Sequence, residues 1–220
     1  MTPPATVPSR RARRLAGPAG ILATALVALL VTACGGPGAT FDPAGPCVVD
    51  GQTAGAYPDL EARLPTSLDG RSPTSVDSGR TCTEAGLGSL ATHDLAAVTF
   101  AGATWDLGDG SGASSVVFAA AGTALQSAWI AEFYEAGART AKKTSNVETS
   151  RPVFEGTGET WRLDALNDLS FQTVVTWQDA EIVRVVLIAT NVAPDASRAA
   201  HDDLVAAAVR ASVEAASTGG

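Results

Sequence analysis

Histidine is almost missing from this chain, with two residues in 220, and most metal chemistry goes with it. His93 is followed by Asp94, and His201 by Asp202 and Asp203. Metal-dependent phosphohydrolases also carry a His-Asp pair, but they need further His and Asp ligands that two histidines cannot supply. No Gly-x-Ser-x-Gly elbow, His-Glu-x-x-His helix or phosphate-binding P-loop occurs, which excludes the familiar hydrolytic and phosphate-transfer sites. Gly86-Leu87-Gly88-Ser89-Leu90-Ala91 matches the letters of a dinucleotide loop, with Asp106 twenty residues after its first glycine. No apolar strand leads into it, so no cofactor is expected. Three cysteines are too few for a disulfide scaffold, and they lack the paired spacing of a zinc ribbon, so no metal site is expected either.

Long apolar runs are missing too. The longest, Ile21 to Val31, is interrupted only by Thr24. As a helix it would reach about 16 Å, half the hydrocarbon thickness of a bilayer. Before it stand Arg10, Arg11, Arg13 and Arg14 with no acid, and small residues follow. This is the layout of a cleaved export signal rather than a permanent span.

Val31-Thr32-Ala33-Cys34 resembles the bacterial lipobox, in which a branched apolar residue and two small ones precede an obligatory cysteine. The resemblance implies a bacterial lipoprotein: a signal peptide over 1–33, diacylglycerol in thioether linkage on Cys34, and cleavage before it. Two acyl chains are what firm anchoring requires. The expected location is the outer face of the cell membrane, with the lipid on Cys34 as the membrane contact. Ser9-Arg10-Arg11 also resembles a twin-arginine signal without its phenylalanine, so the export route stays open. A further likeness, over Pro58-Asp59-Leu60-Glu61-Ala62-Arg63-Leu64-Pro65 and Leu68-Asp69-Gly70-Arg71, is to a loose group of exported bacterial proteins. That group carries no activity that could be transferred.

Removing 33 residues leaves 187, a length that suits one domain. The four leader arginines go as well, leaving 11 basic residues against 23 acidic ones, a net −12. Such a surface repels nucleic acid. The remaining cysteines, Cys47 and Cys82, form an even pair that predicts a disulfide in an oxidising compartment. Closing a loop of about 36 residues would contribute roughly 3 to 4 kcal/mol. Residues 34–46 read as a Gly/Pro/Ala spacer, and 47–220 as a single α+β domain.

Within that domain, Tyr57 to Leu64 and Thr83 to Leu90 read as short helices. Val98 to Leu107 and Ser115 to Phe118 read as strands around the Gly108-Asp109-Gly110-Ser111-Gly112 loop. Asp106, Asp109 and Ser111 in that loop offer hard oxygens to calcium, but the alternating-acid order is missing, and a plain hairpin loop is expected. Thr123 is expected to cap a helix running to about Lys143, with Leu125, Trp129, Phe133 and Ala136 on its buried face. Arg139, Lys142 and Lys143 in its last turns complement the helix dipole.

Phe171 to Trp177 and Ile182 to Thr190 read as a long hairpin, with Thr160 to Leu163 beside it. Val183, Val185 and Leu187 share one face of the second strand, and Ile182, Arg184, Val186 and Ile188 the other, so this strand should be central. A terminal helix from Pro194-Asp195 carries Leu204, Val205, Ala208, Val209 and Ser212 as its stripe. His201 lies on that stripe and is expected as a core histidine with one satisfied nitrogen, whereas Asp203 should face solvent. Trp105, Trp161 and Trp177 fall on strands, as core or as the floor of a groove. The expected architecture is a two-layer α+β sandwich, a mainly antiparallel sheet with both long helices on one face.

The functional expectation is a membrane-tethered, non-enzymatic module that binds a small ligand or a protein partner. An envelope hydrolase with an unfamiliar site, or a carrier of an apolar ligand, are the alternatives. The lipid is directly checkable. Mass spectrometry of the membrane fraction should find a diacylglyceryl mass on an N-terminal Cys34, and Cys34→Ala should block processing; a Cys34→Ala chain still cut after Ala33 would show an ordinary signal.

Overall fold

The computed structural model describes residues 40–167, 170–191 and 198–218. The export signal, the lipobox with Cys34, part of the spacer and the Pro194-Asp195 helix start lie outside them. Eight strands make one sheet: β1 (Gly51–Thr53), β2 (Ser75–Thr81), β3 (Val98–Gly108), β4 (Ser111–Ala119), β5 (Thr144–Ser150), β6 (Thr160–Asn167), β7 (Ser170–Asp179) and β8 (Ile182–Asn191). Their order across the sheet is β1-β2-β3-β4-β8-β7-β6-β5. Every neighbouring pair is antiparallel. The chain therefore builds inward from one edge to β4, crosses to the far edge, and builds inward again until β8 meets β4.

That seam exists because β8 is apolar on both sides. Val183, Val185 and Leu187 are buried with Val116, Phe118 and Leu163, while Ile182, Val186 and Ile188 are buried with Ala113, Val117 and Trp177. Two sheet faces need cover, and each long helix supplies one. The helix α3 (Ser127–Thr140) sets Ile130 on the first face, and α4 (Arg198–Thr218) sets Val205, Ala208 and Val209 on the second. The expectation that both helices share one face is thus corrected to helix, sheet, helix. An apolar stripe on a helix requires some partner surface but does not choose between two equivalent ones.

The helix α3 is also shorter than its periodicity predicts. Leu125 is buried ahead of the helix instead of in it, and the position before Ser127 makes no side-chain cap. The first-turn donor is satisfied from outside: the Ser127 amide donates to Gln178 Oε1 at 2.9 Å. The same side chain donates through Nε2 to the carbonyls of Leu125, Ala180 and Ile182. Gln178 thereby ties the β7–β8 turn to the start of α3. The turn holds only Ala180 and Glu181 between paired Asp179 and Ile182, and Ala180 takes φ +52° to make it. Trp129, Phe133 and Leu204 are half-buried and Ala136 is exposed, where the spacing places all four on buried stripes. In α3 the buried helical positions are Ile130 and Ala131, because the helix also bears on the 3-10 turn Gly88–His93 beside it.

At the amino end the short helices α1 (Pro58–Glu61) and α2 (Glu84–Leu87) flank β2. Cys47 and Cys82 form the expected disulfide, with Cα atoms 6.1 Å apart. Asp50 reinforces it by accepting from the amides of Cys82 (2.7 Å) and Thr83 (2.9 Å) and from the Thr83 hydroxyl. Burial works to raise the Asp50 carboxyl, but these donors outweigh it and hold the group below its ordinary value.

Burial separates the aromatic residues into two energetic classes, with Trp177 at 2% exposure in the core and Phe133 at its margin. Trp177→Ala should cost about 3 to 5 kcal/mol in urea unfolding at neutral pH, and Phe133→Ala clearly less. Equal losses would show that the α3 margin is packed as tightly as the centre.

Candidate functional site

The chemically richest cluster lies on the α4 side of the sheet, above β6 to β8. Alternation along β6 turns Arg162 and Asp164 to that side, and the same parity places Thr173 of β7 and Thr190 of β8 beside them. The first turns of α4 lower Arg198, His201 and Asp202 onto this row.

Four charges close into a ring. Arg162 donates to Asp164 through Nε and Nη2, each at 2.9 Å, and to Asp202 through Nη2 at 2.5 Å. Arg198 Nη2 reaches Asp164 Oδ1 at 2.9 Å, and its Nε lies 3.4 Å from Asp202 Oδ1. Each carboxylate thus meets both guanidiniums. Burial works to lower the Arg162 guanidinium, yet the two carboxylates hold it above its ordinary value. Burial works to raise Asp202, and Arg162 and Arg198 bring it below its own.

Inside the ring His201 is 2% exposed. Its Nε2 is 2.7 Å from Thr173 Oγ1 and its Nδ1 is 2.7 Å from Thr190 Oγ1. Thr173 Oγ1 is also 2.5 Å from Asp164 Oδ1. Asp164 accepts from two guanidiniums, so the single Thr173 proton points to it. Thr173 must then accept from the His201 Nε2–H, and neutral Nδ1 accepts from the Thr190 hydroxyl. The result is a one-way chain of donors, Thr190 to His201 to Thr173 to Asp164. Burial, joined by the charge of Arg198, pushes His201 down to about 4, so the imidazole is neutral in any near-neutral medium. Phe171 leans on the ring at 6.0 Å, and Arg198 stacks over Phe171 at 5.6 Å.

His201 is therefore buried as expected, but both of its nitrogens are satisfied where one was expected, and no carboxylate touches it directly. His93 sits on the other side of the sheet. There it stacks on Trp129 with centroids 4.6 Å apart and meets Glu132 at 3.0 Å, pinning the 3-10 turn to α3. The two histidines do not converge.

The remaining sequence candidates have structural occupations. A Cβ on Gly86 would lie 2.1 Å from both Asp50 Oδ2 and Thr81 Oγ1, and Gly88 takes φ +53°. Close packing and a left-handed turn thus account for the dinucleotide-like letters. Asp106 accepts from the Gly108 amide at 2.8 Å, and the Asn191 side chain donates to the Asp109 carbonyl at 3.2 Å, which makes the glycine-rich segment a tied hairpin loop. Trp105 and Trp177 are buried on the α4 side, and Trp161 packs half-buried on the other. Trp105 Nε1 donates to the Arg71 carbonyl at 3.0 Å. Arg139 pairs with Glu135 one helical turn back. Asp203 is exposed, as expected. Among the described residues no group of three or more His, Cys, Asp or Glu is placed to hold a metal, and no helix is long and apolar enough to cross a membrane.

Arg162, Asp164, Thr173, Thr190 and Arg198 are the members of the cluster that sequence reading missed. A signal did exist for part of it. Arg162 and Asp164 are opposite charges two apart on a strand, and Arg198 and Asp202 are opposite charges four apart on a helix. Nothing local says that the two pairs meet. No protein-family model, curated protein or solved structure matches this chain.

The depressed His201 value fixes a pH dependence. A group whose folded value of about 4 lies below its unfolded 6.5 contributes stability fully above pH 6.5 and loses it as pH falls to 4. The loss should reach about 3 kcal/mol by urea titration. His201→Gln, although less stable throughout, should lack that slope between pH 6.5 and 4; a slope left unchanged would place the titrating group elsewhere.

Proposed function

We propose that the chain is a lipoprotein on the outer face of the cell membrane, held by lipid on Cys34, whose folded part binds a ligand or protein partner and catalyses no reaction. The observation that carries the non-catalytic half is the hydrogen-bond chain that occupies both nitrogens of His201. A general base needs a free lone pair near the operating pH. Here the lone pair is taken by Thr190, the other nitrogen is committed to Thr173, and burial removes the basicity. The Cys47–Cys82 bridge supports an exported setting, because structural disulfides persist in oxidising compartments.

Of the alternatives, an apolar carrier draws no support from the interface of α4 with the sheet. The cleft there, lined by Leu68, Trp105, Ala113 and Ala208, has a volume of about 10 Å³. That is room for about one water and none for an acyl chain. A hydrolase reading has one specific observation in its favour, since the Thr190 hydroxyl donates to an imidazole as a nucleophile would.

Carboxylester, phosphoester and glycoside substrates separate these readings. The purified chain should leave all three intact, and Thr190→Ala should fold without changing that result. Turnover that disappears in Thr190→Ala while the fold is retained would replace the binding module by an enzyme.

A further inference from the structure

Residues 40–49 form a strap along the β1–β2 edge, and several bonds fix it there. Arg80 of β2 donates through Nη1 to the Gly45 carbonyl and through Nη2 to the Asp42 carbonyl, both at 3.1 Å. The Tyr57 hydroxyl donates to the Pro43 carbonyl at 3.4 Å. Phe41 fills the space over Gly51, where an added Cβ would come within 2.4 Å of it. The disulfide then closes the strap onto the end of β2. Burial alternates along it. Phe41, Pro43, Gly45, Cys47 and Val49 turn inward, while Thr40, Asp42, Ala44, Pro46 and Val48 are exposed.

Two features of this strap bear on its surroundings. It carries one charge in ten residues, Asp42, on a chain with twice as many acids as bases after the leader. Val48 is 65% exposed and, with Val153 on the β5–β6 loop, is one of two large apolar side chains left open to solvent among the described residues. The second feature is its place in the sequence. Six residues lead from Cys34 to Thr40, and six residues span at most about 20 Å. Across the sheet, the seven strand spacings from β1 to β5 amount to roughly 34 Å.

We propose that the strap, with the β1–β2 edge beneath it, is the membrane-facing surface of the domain, seated on the phospholipid headgroup layer with the β5–β6 edge turned outward. This rests on the lipid attachment at Cys34. Given that attachment, the tether is shorter than the sheet is wide, so the start of the strap stays within about 20 Å of the headgroups whatever the far edge does. To that layer the strap offers small and apolar side chains with a single acid.

The test uses the full lipoprotein purified from membranes, isotope-labelled and inserted in phospholipid nanodiscs that contain a headgroup-nitroxide lipid. Loss of amide signal should be greatest from Asp42 to Val48 and along β1, and amides of β5 and β6 should keep their intensity. Val48→Asp should reduce the loss in the strap while the protein stays on the disc. Loss centred on α3, α4 or β5, or spread evenly over a lipidated chain, overturns the assignment of this surface alone. A chain recovered without lipid on Cys34 overturns the attachment, and the surface falls with it.

Discussion

Everything in this sheet depends on one pairing, β4 with β8. Seven residue pairs from Gly112↔Ala189 to Phe118↔Val183 join two four-stranded halves that no other pairing of the described strands connects. The seam is held less by its ladder than by what it buries. Val117 on one side and Val183, Val185 and Val186 on the other have no exposed surface. Hydrogen bonds of a ladder exchange for bonds to water at little net gain, whereas this apolar area has nowhere else to go. Each half-sheet alone would leave one β-branched row facing solvent on both sides.

Polar groups placed inside such a core narrow the ways it can assemble. Arg184 lies among valines at 1% exposure, donating to Asp179 at 2.5 Å and to the Arg63 carbonyl at 2.9 Å. A shift of β8 by one residue would move that guanidinium to the α3 face, away from both acceptors. His201 acts in the same way on α4, because its two nitrogens find hydroxyls on two different strands only in one rotation and one translation of the helix. Ring closure by Arg162, Asp164, Arg198 and Asp202 adds modest energy, since two of its members are partly solvated. Its effect is on geometry more than on depth of the energy well.

The central hairpin, the β3–β4 hairpin, the disulfide and the terminal helix were legible in the sequence because each is written in local terms: alternation, a turn signal, an even cysteine count, a 3.6-residue stripe. The edge strands were not. Along β5, Thr144-Ser145-Asn146-Val147-Glu148-Thr149-Ser150 buries little and bulges between Ser145 and Glu148, so hydropathy contains no strand signal. Edge strands with polar faces and bulges resist joining other sheets, and the same features hide them from pattern reading. The β2 strand, Ser75–Thr81, is hidden by its aspartate, serines and glycine. The start of α3 was misplaced because its capping group, Gln178, is 51 residues away. The charge ring was out of reach for the same reason, its halves being separated by the whole β7–β8 hairpin.

The order in which the strands are laid down has a consequence for the newborn chain. Synthesis delivers the amino end first, so β1 to β4 exist as a half-sheet long before β8 does. During that interval β4 presents Val116, Val117 and Phe118 on an unpaired edge, the kind of template that recruits strands from other molecules. Among the described strands, the one that fills the free edge of β4 is β8, the last one made. Cooperative closure therefore waits for nearly the entire sequence, and a chain that ends early is left as two adhesive halves, not as a smaller version of the fold.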